Sequence, residues 1–204
     1  MNISELPIVR FAFSDRAERT KRIVVLNGHP DPRPERFCSA ICEAYLRGAK
    51  AFNLDARYLA VAELGPLLSG FVPPHDEGRL SDTMIFAANE IRLADWLVIA
   101  FPLWLNGPPP SLQVVFHAYS QHLKRIGTPS GTLTPPKDAH VIVTMSMPAL
   151  LFGGRGRSSQ NPLNLSLSGV EPRRTTLIGG VETLSPRRRA EWLSDVSKLG
   201  GRGM

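Results

Sequence analysis

At 204 residues and 43% hydrophobic content the chain is long enough for one domain with a substantial core. The formal net charge is +6, but much of the excess is arginine near the C-terminal end (Arg155, Arg157, Arg173, Arg174, Arg187 to Arg189). No dense basic tract carries interleaved aromatics, so no nucleic-acid partner is expected. No apolar run reaches the ~18 residues of a membrane span, and the two cysteines, Cys38 and Cys42, fit neither a CxxC redox pair nor a four-ligand zinc site.

Residues 1–20 have no clear period and read as an N-terminal extension of a domain over 21–204. Their apolar patch, Ile8 to Phe13, is interrupted by Arg10 and does not read as a signal peptide. Strand one is expected at 22–27, apolar without alternation, and breaks at Asn27-Gly28 into a loop with His29, Pro30, Asp31, Pro32 and Pro34. A helix is expected from about Arg36 to residue 51, on the stripe Phe37, Ile41, Ala44, Tyr45 and Gly48. Cys38 and Cys42 fall on one side of it as core or near-core residues, which suits a reducing cytoplasm. LDARYLAV, 54–61, reads as strand two. Residues 62–80 read as a long loop rich in breakers, a feature often tied to function.

Ser81 caps a helix over 82–94, with the stripe Met84, Ile85, Ala88, Ile91 and Arg92. WLVIAFP, 96–102, is a continuous apolar run and reads as a central parallel strand. A Pro/Gly loop over 102–110 leads into a helix at 111–124. Strand four is placed at 140–145, a Gly, Ser and Arg-rich segment at 149–169, and strand five at 174–180. Ser185 and Pro186 open a last helix that Gly200-Gly201 ends.

This alternation implies an α/β fold: a doubly wound five-stranded parallel sheet in the order 2-1-3-4-5, helices on both faces. Ligands of such sheets bind beyond the C-terminal strand ends, beside the switch point between strands one and three. The loops there are unusual in this chain: NGHPDPRPERF, FPLWLNGPPP and TMSMPA. Strand, loop and helix at the first is how such a sheet offers backbone N–H groups to a phosphate. In the second, Trp104 sits in a loop stiffened by Pro108 to Pro110, which suits either a flat, hydrogen-bonding ring or, with Leu105, a cap on the core or a dimer seam. The scattered histidines make no metal site.

NGHPDPRPERFCSAICEAYLRGA, LADWLVIAFPLWLNGPPPSLQVVF and VIVTMSMPA, with the C-terminal segment from Gly169, resemble the flavodoxin-like NAD(P)H oxidoreductases that include the NAD(P)H:quinone reductases, over roughly residues 21 to 200. The resemblance implies FMN, or FAD, as cofactor and NADPH or NADH as electron donor. It further implies that hydride passes through flavin N5 to a quinone-like or other small acceptor and that the protein is a homodimer, expected in the cytoplasm. By position it implies that His29, Arg36, Phe37 and Cys38 touch the flavin phosphate. Pro102, Leu103, Trp104, Leu105 and Asn106 line the ring, and Thr144, Met145 and Ser146 meet its pyrimidine side. It assigns no catalytic acid. Two departures stand out: Arg36 replaces a customary Ser, and Ser146-Met147 replace glycines. They favour an alternative, a regulatory or ancillary subunit, for example of a transport system, with little or no redox activity.

Overall fold

The structure is a computed structural model that describes residues 21–64, 81–104, 107–126, 137–148 and 169–203. Five strands make one parallel sheet: β1 (Arg22–Asn27), β2 (Asp55–Ala60), β3 (Trp96–Pro102), β4 (Lys137–Thr144) and β5 (Val170–Ile178). Their order is β2-β1-β3-β4-β5, and every pairing is parallel. Among the described residues four α-helices accompany them: α1 (Phe37–Ala51), α2 (Asp82–Leu93), α3 (Pro110–Ile126) and α4 (Pro186–Gly201). The fold class, strand order and two-faced helical cover are those that the alternation of elements implies.

The period of two along a strand divides the core between two layers. Val24, Leu26, Leu97, Ile99 and Phe101 pack with α2 and α3 on one face. Ile23, Val25, Val98, Ala100 and Ile142 pack with α1 and α4 on the other. Because β1, β3 and β4 are covered on both faces, each reads as an unbroken apolar run.

The outer strands differ from their sequence reading. β4 begins at Lys137, three residues before the expected start, and its register with β5 shifts between Ala139 and His140. β5 begins at Val170 rather than 174 and ends at Ile178, because Arg173, Arg174 and Thr175 are exposed and supply no apolar alternation to read. The stripe of α2 also turns. Its buried residues are Met84, Ala87, Ala88, Glu90 and Ile91, while Ile85 and Arg92 are only half-buried. Glu90 goes inward because Arg22 Nη2 donates to both of its oxygens, at 2.8 and 2.7 Å, and Arg57 Nη1 adds a longer pair at 3.3 Å. A carboxylate is tolerated at depth only when so paired.

Ser81 and Ser185 do cap α2 and α4, accepting from the N–H groups of Met84 and Arg188 at 3.3 Å each. Helices α1 and α4 cross closely at Gly48 and Gly200. The expected extension at 1–20 and most of the long loop over 62–80 lie outside the described residues, as does nearly all of 149–169.

Candidate active site

The loop after β1 is built from side chains that accept from their own backbone two residues on. Asn27 Oδ1 accepts from His29 N–H at 3.1 Å, His29 Nδ1 from Asp31 N–H at 3.0 Å, and Asp31 Oδ1 from Arg33 N–H at 3.1 Å. This relay fixes a proline-rich path that has few backbone donors to spare. Ser39 ties it to α1: its Oγ accepts from Asn27 Nδ2 and donates to Arg33 O. Gly28 holds the loop against β3, its N–H donating to Ala100 O at 2.7 Å. A Cβ there would meet Leu112 Cδ2 at 2.9 Å and Phe101 Cβ at 3.0 Å.

The relay delivers the chain to an unusual helix start. Arg36 is the N-cap of α1 and gives no side-chain cap, and the first turn holds no acidic residue. The first N–H groups of a helix lack intrahelical partners and sit at the positive end of its dipole. Left open beside a cleft, they suit an anion.

That cleft has a volume of about 330 Å³. Its lining draws on four places: His29, Glu35, Arg36, Phe37 and Cys38 after β1; Pro102, Leu103 and Trp104 after β3; Thr144, Met145 and Ser146 after β4; and Val181, Glu182 and Arg189 after β5. Every residue that the resemblance singled out is therefore in its wall, apart from Leu105 and Asn106, which lie outside the described residues. The Trp104 loop is closed by a two-way bridge to Gly107, N–H to carbonyl, at 2.9 and 2.7 Å. Trp104 is 46% exposed there, an aromatic face held in place without cover.

The inner wall is hydroxyl and thiol. Thr144 Oγ1 lies 3.3 Å from Cys38 Sγ and 3.5 Å from Phe101 O. Burial pushes the Cys38 thiol up to about 11, so it stays protonated at neutral pH. Cys42 is buried one turn on, and burial and the nearby Cys38 push its thiol up as well. Both are packing residues, as expected.

His29 is held below the ordinary imidazole value, first by burial and then by the nearby Arg36 guanidinium. It is neutral at pH 7. Since Nδ1 accepts from Asp31 N–H, the proton sits on Nε2, and the ring is a neutral donor. Arg36 does not extend into the cleft alone; its Nε donates to Asp31 Oδ2 at 2.7 Å, and Nη2 donates to the same oxygen.

A family model for the flavodoxin-like fold matches residues 21–199. The chain belongs to this family. Among solved structures, an NAD(P)H:quinone oxidoreductase from Methanothermobacter marburgensis superposes with a TM-score of 0.62 at 17% identity, covering 90% of this chain and 96% of that one. An oxidoreductase from Corynebacterium diphtheriae gives 0.58 at 14% identity, with 89% and 93% covered. An FMN-dependent NADH-azoreductase from Bacillus anthracis, solved with FMN, gives 0.54 at 14% identity, with 90% and 99% covered. No match was found among curated proteins.

In this flavodoxin-like chain the sequence reading missed Arg189, Glu182, Val181 and Glu35. Arg187 to Arg189 form an odd basic run at a helix start, and the three part ways in the fold. Arg187 and Arg188 pair with Glu191 at 3.1 and 2.8 Å. Arg189 turns inward, donates from Nη2 to Val181 O at 2.7 Å and stacks over the Phe37 ring at 5.2 Å. The basic run was a visible signal; that one member reaches α1 was not. Glu182 accepts from Ser146 Oγ at 2.8 Å, joining the β4 and β5 loops across the cleft. Among the described residues no cluster of potential ligands fits a metal ion, and no helix is long and apolar enough to cross a membrane.

Proposed function

We propose that this chain is a flavin-dependent NAD(P)H oxidoreductase that binds FMN in the cleft and reduces a quinone-like or other small acceptor. The observation that carries this reading is the meeting of the β1, β3 and β4 end loops in one cleft at the open N-terminus of α1. It is supported by the fold that the chain shares with the quinone oxidoreductase and the azoreductase named above.

The residues present fit such a group. The uncapped first turn of α1, the neutral Nε2–H of His29 and the Arg36 and Arg189 guanidiniums are donors for a phosphate. Pro102, Leu103 and Trp104 offer an apolar and aromatic wall for a flat ring, and Leu105 and Asn106 continue that segment. Thr144, Met145 and Ser146 face the wall from β4. A flavin bound there supplies hydride transfer between a reduced nicotinamide and a second substrate. The chain's own part is orientation and exclusion of water. The exposed Trp104 face keeps one side of the slot apolar. Donor and acceptor then use that slot in turn, which gives ping-pong kinetics. The chain acts as a homodimer in the cytoplasm, with NADPH or NADH as donor; FMN is put before FAD on the likeness to the azoreductase solved with FMN.

Two observations favour a second reading, a flavin-free ancillary subunit. Glu35 and Glu182 place carboxylates in the cleft wall, and Ser146 is engaged by Glu182. One preparation separates the two. The purified protein, incubated with FMN and desalted, should be yellow, bleach with NADPH under anaerobic conditions and regain colour with a quinone. A protein that is colourless after incubation with FMN and with FAD refutes the oxidoreductase reading.

A further inference from the structure

Arg36 stands at the start of α1, where a phosphate would bind, and a carboxylate of the same loop already holds it. Asp31 Oδ2 accepts from Nε and Nη2 of Arg36, which are the two adjacent donors of one guanidinium edge. The same carboxylate accepts from Arg33, whose Nε lies 3.0 and 2.9 Å from its two oxygens and whose Nη2 lies 2.6 Å from Oδ2. Asp31 cannot easily swing away. Its N–H is bound to His29 Nδ1, and its Oδ1 also accepts from the Arg33 N–H. The guanidinium of Arg33, with lesser help from Arg36, keeps the Asp31 carboxyl far below the usual carboxylate range, so the charge is present at any working pH.

A phosphate and a carboxylate seek the same two-pronged edge of an arginine. We infer that Asp31 is an internal competitor for Arg36, occupying the guanidinium edge that the flavin phosphate would take and thereby setting how tightly that end of the cofactor is held. The inference rests on the flavin reading above. It makes Asp31 an affinity-determining residue that touches the phosphate site through Arg36. Binding of the phosphate requires Arg36 to exchange one anion for another, while Arg33 retains Asp31.

The test compares dissociation constants for FMN and for riboflavin, which lacks the phosphate, in the wild-type protein and in Asp31→Asn and Asp31→Ser. Both substitutions keep an oxygen to accept the Arg33 N–H and remove the charge. Circular dichroism and melting curves check that they fold. Loss of one charged competitor should tighten FMN about tenfold and leave riboflavin unchanged. FMN binding that is unchanged or weaker in both folded variants overturns the inference. If no form binds either flavin, the flavin reading itself fails, and titration with inorganic pyrophosphate decides on Asp31. Tighter binding by the variants upholds the competitor role, and equal or absent binding overturns it. Should neither variant fold, the Arg36 Nε–H resonance of the wild-type protein is followed during the same titration. A saturable shift supports exchange of the anion, and an unmoved resonance at saturating pyrophosphate overturns it.

Discussion

Gly48→Ala should destabilise the protein strongly, although alanine is the better helix former. Gly48 lies inside α1 where α4 crosses it. An added Cβ would sit 1.9 Å from Ser197 O, 2.8 Å from Ser197 C and 3.0 Å from Gly201 N. Those are backbone atoms of a regular helix, so no side chain can rotate out of the way. Relief requires the helices to part by about an ångström or more, a distance set by ordinary packing contacts of 3.5–4.0 Å. Parting them loosens Ile41, Tyr45, Ala49 and Val196, which are buried together on that face of the sheet. Overpacking of a tight core costs about 1–3 kcal/mol, and a backbone clash belongs at the upper end. Helix propensity returns about 1 kcal/mol. The net loss is therefore about 2 kcal/mol, or roughly a 1 M fall in the urea midpoint. Gly201→Ala is the control. Its Cβ would meet the ring of Phe52 at 2.7 Å, but Phe52 is 68% exposed and can move. Urea denaturation followed by circular dichroism measures both. A Gly48→Ala midpoint within experimental error of Gly201→Ala would refute the argument from close helix approach.

Other consequences concern the cleft. The His29 C–H resonance should titrate in NMR with a midpoint below the usual imidazole value of about 6.5, since burial and Arg36 disfavour its charged form. With the folded value below the unfolded one, the unfolded chain binds more protons between the two. The His29 contribution to stability is then complete above the unfolded value and is lost as pH falls toward the folded one. Urea midpoints of wild type and His29→Gln should converge over that window, and parallel curves would contradict the shift. Neither Cys38 nor Cys42 should react with an aromatic disulfide reagent in the native protein, because both thiols are buried and held protonated. Both should react in denaturant, and rapid native labelling would show the α1 face to be open. Arg189→Ala should cost about 1–2 kcal/mol of stability from the lost carbonyl bond and ring stacking, and should weaken FMN binding several-fold. Arg189→Lys should restore only part of the FMN affinity, since an ammonium cannot both stack on Phe37 and reach Val181 O; full recovery would assign Arg189 a charge role only.

Elements that are local or buried on two sides can be read from the residues alone. β1 and β3 are legible as unbroken apolar runs because helices cover both of their faces, and the Ser81 and Ser185 caps are legible because capping is a contact over three residues. The β-α alternation then leaves little choice of strand order, and with it the place where loops must meet. The remaining features depend on contacts between residues far apart in the chain. β5 has exposed residues along its middle and little apolar pattern, so its start is not visible in the sequence. Glu90 is buried only because Arg22 and Arg57, distant in sequence, reach it. Arg189 leaves its basic run for Phe37, and Arg36 turns to Asp31 rather than standing free. A charged side chain on a flexible stem reaches whichever partner the folded backbone brings near, and no periodicity records that choice.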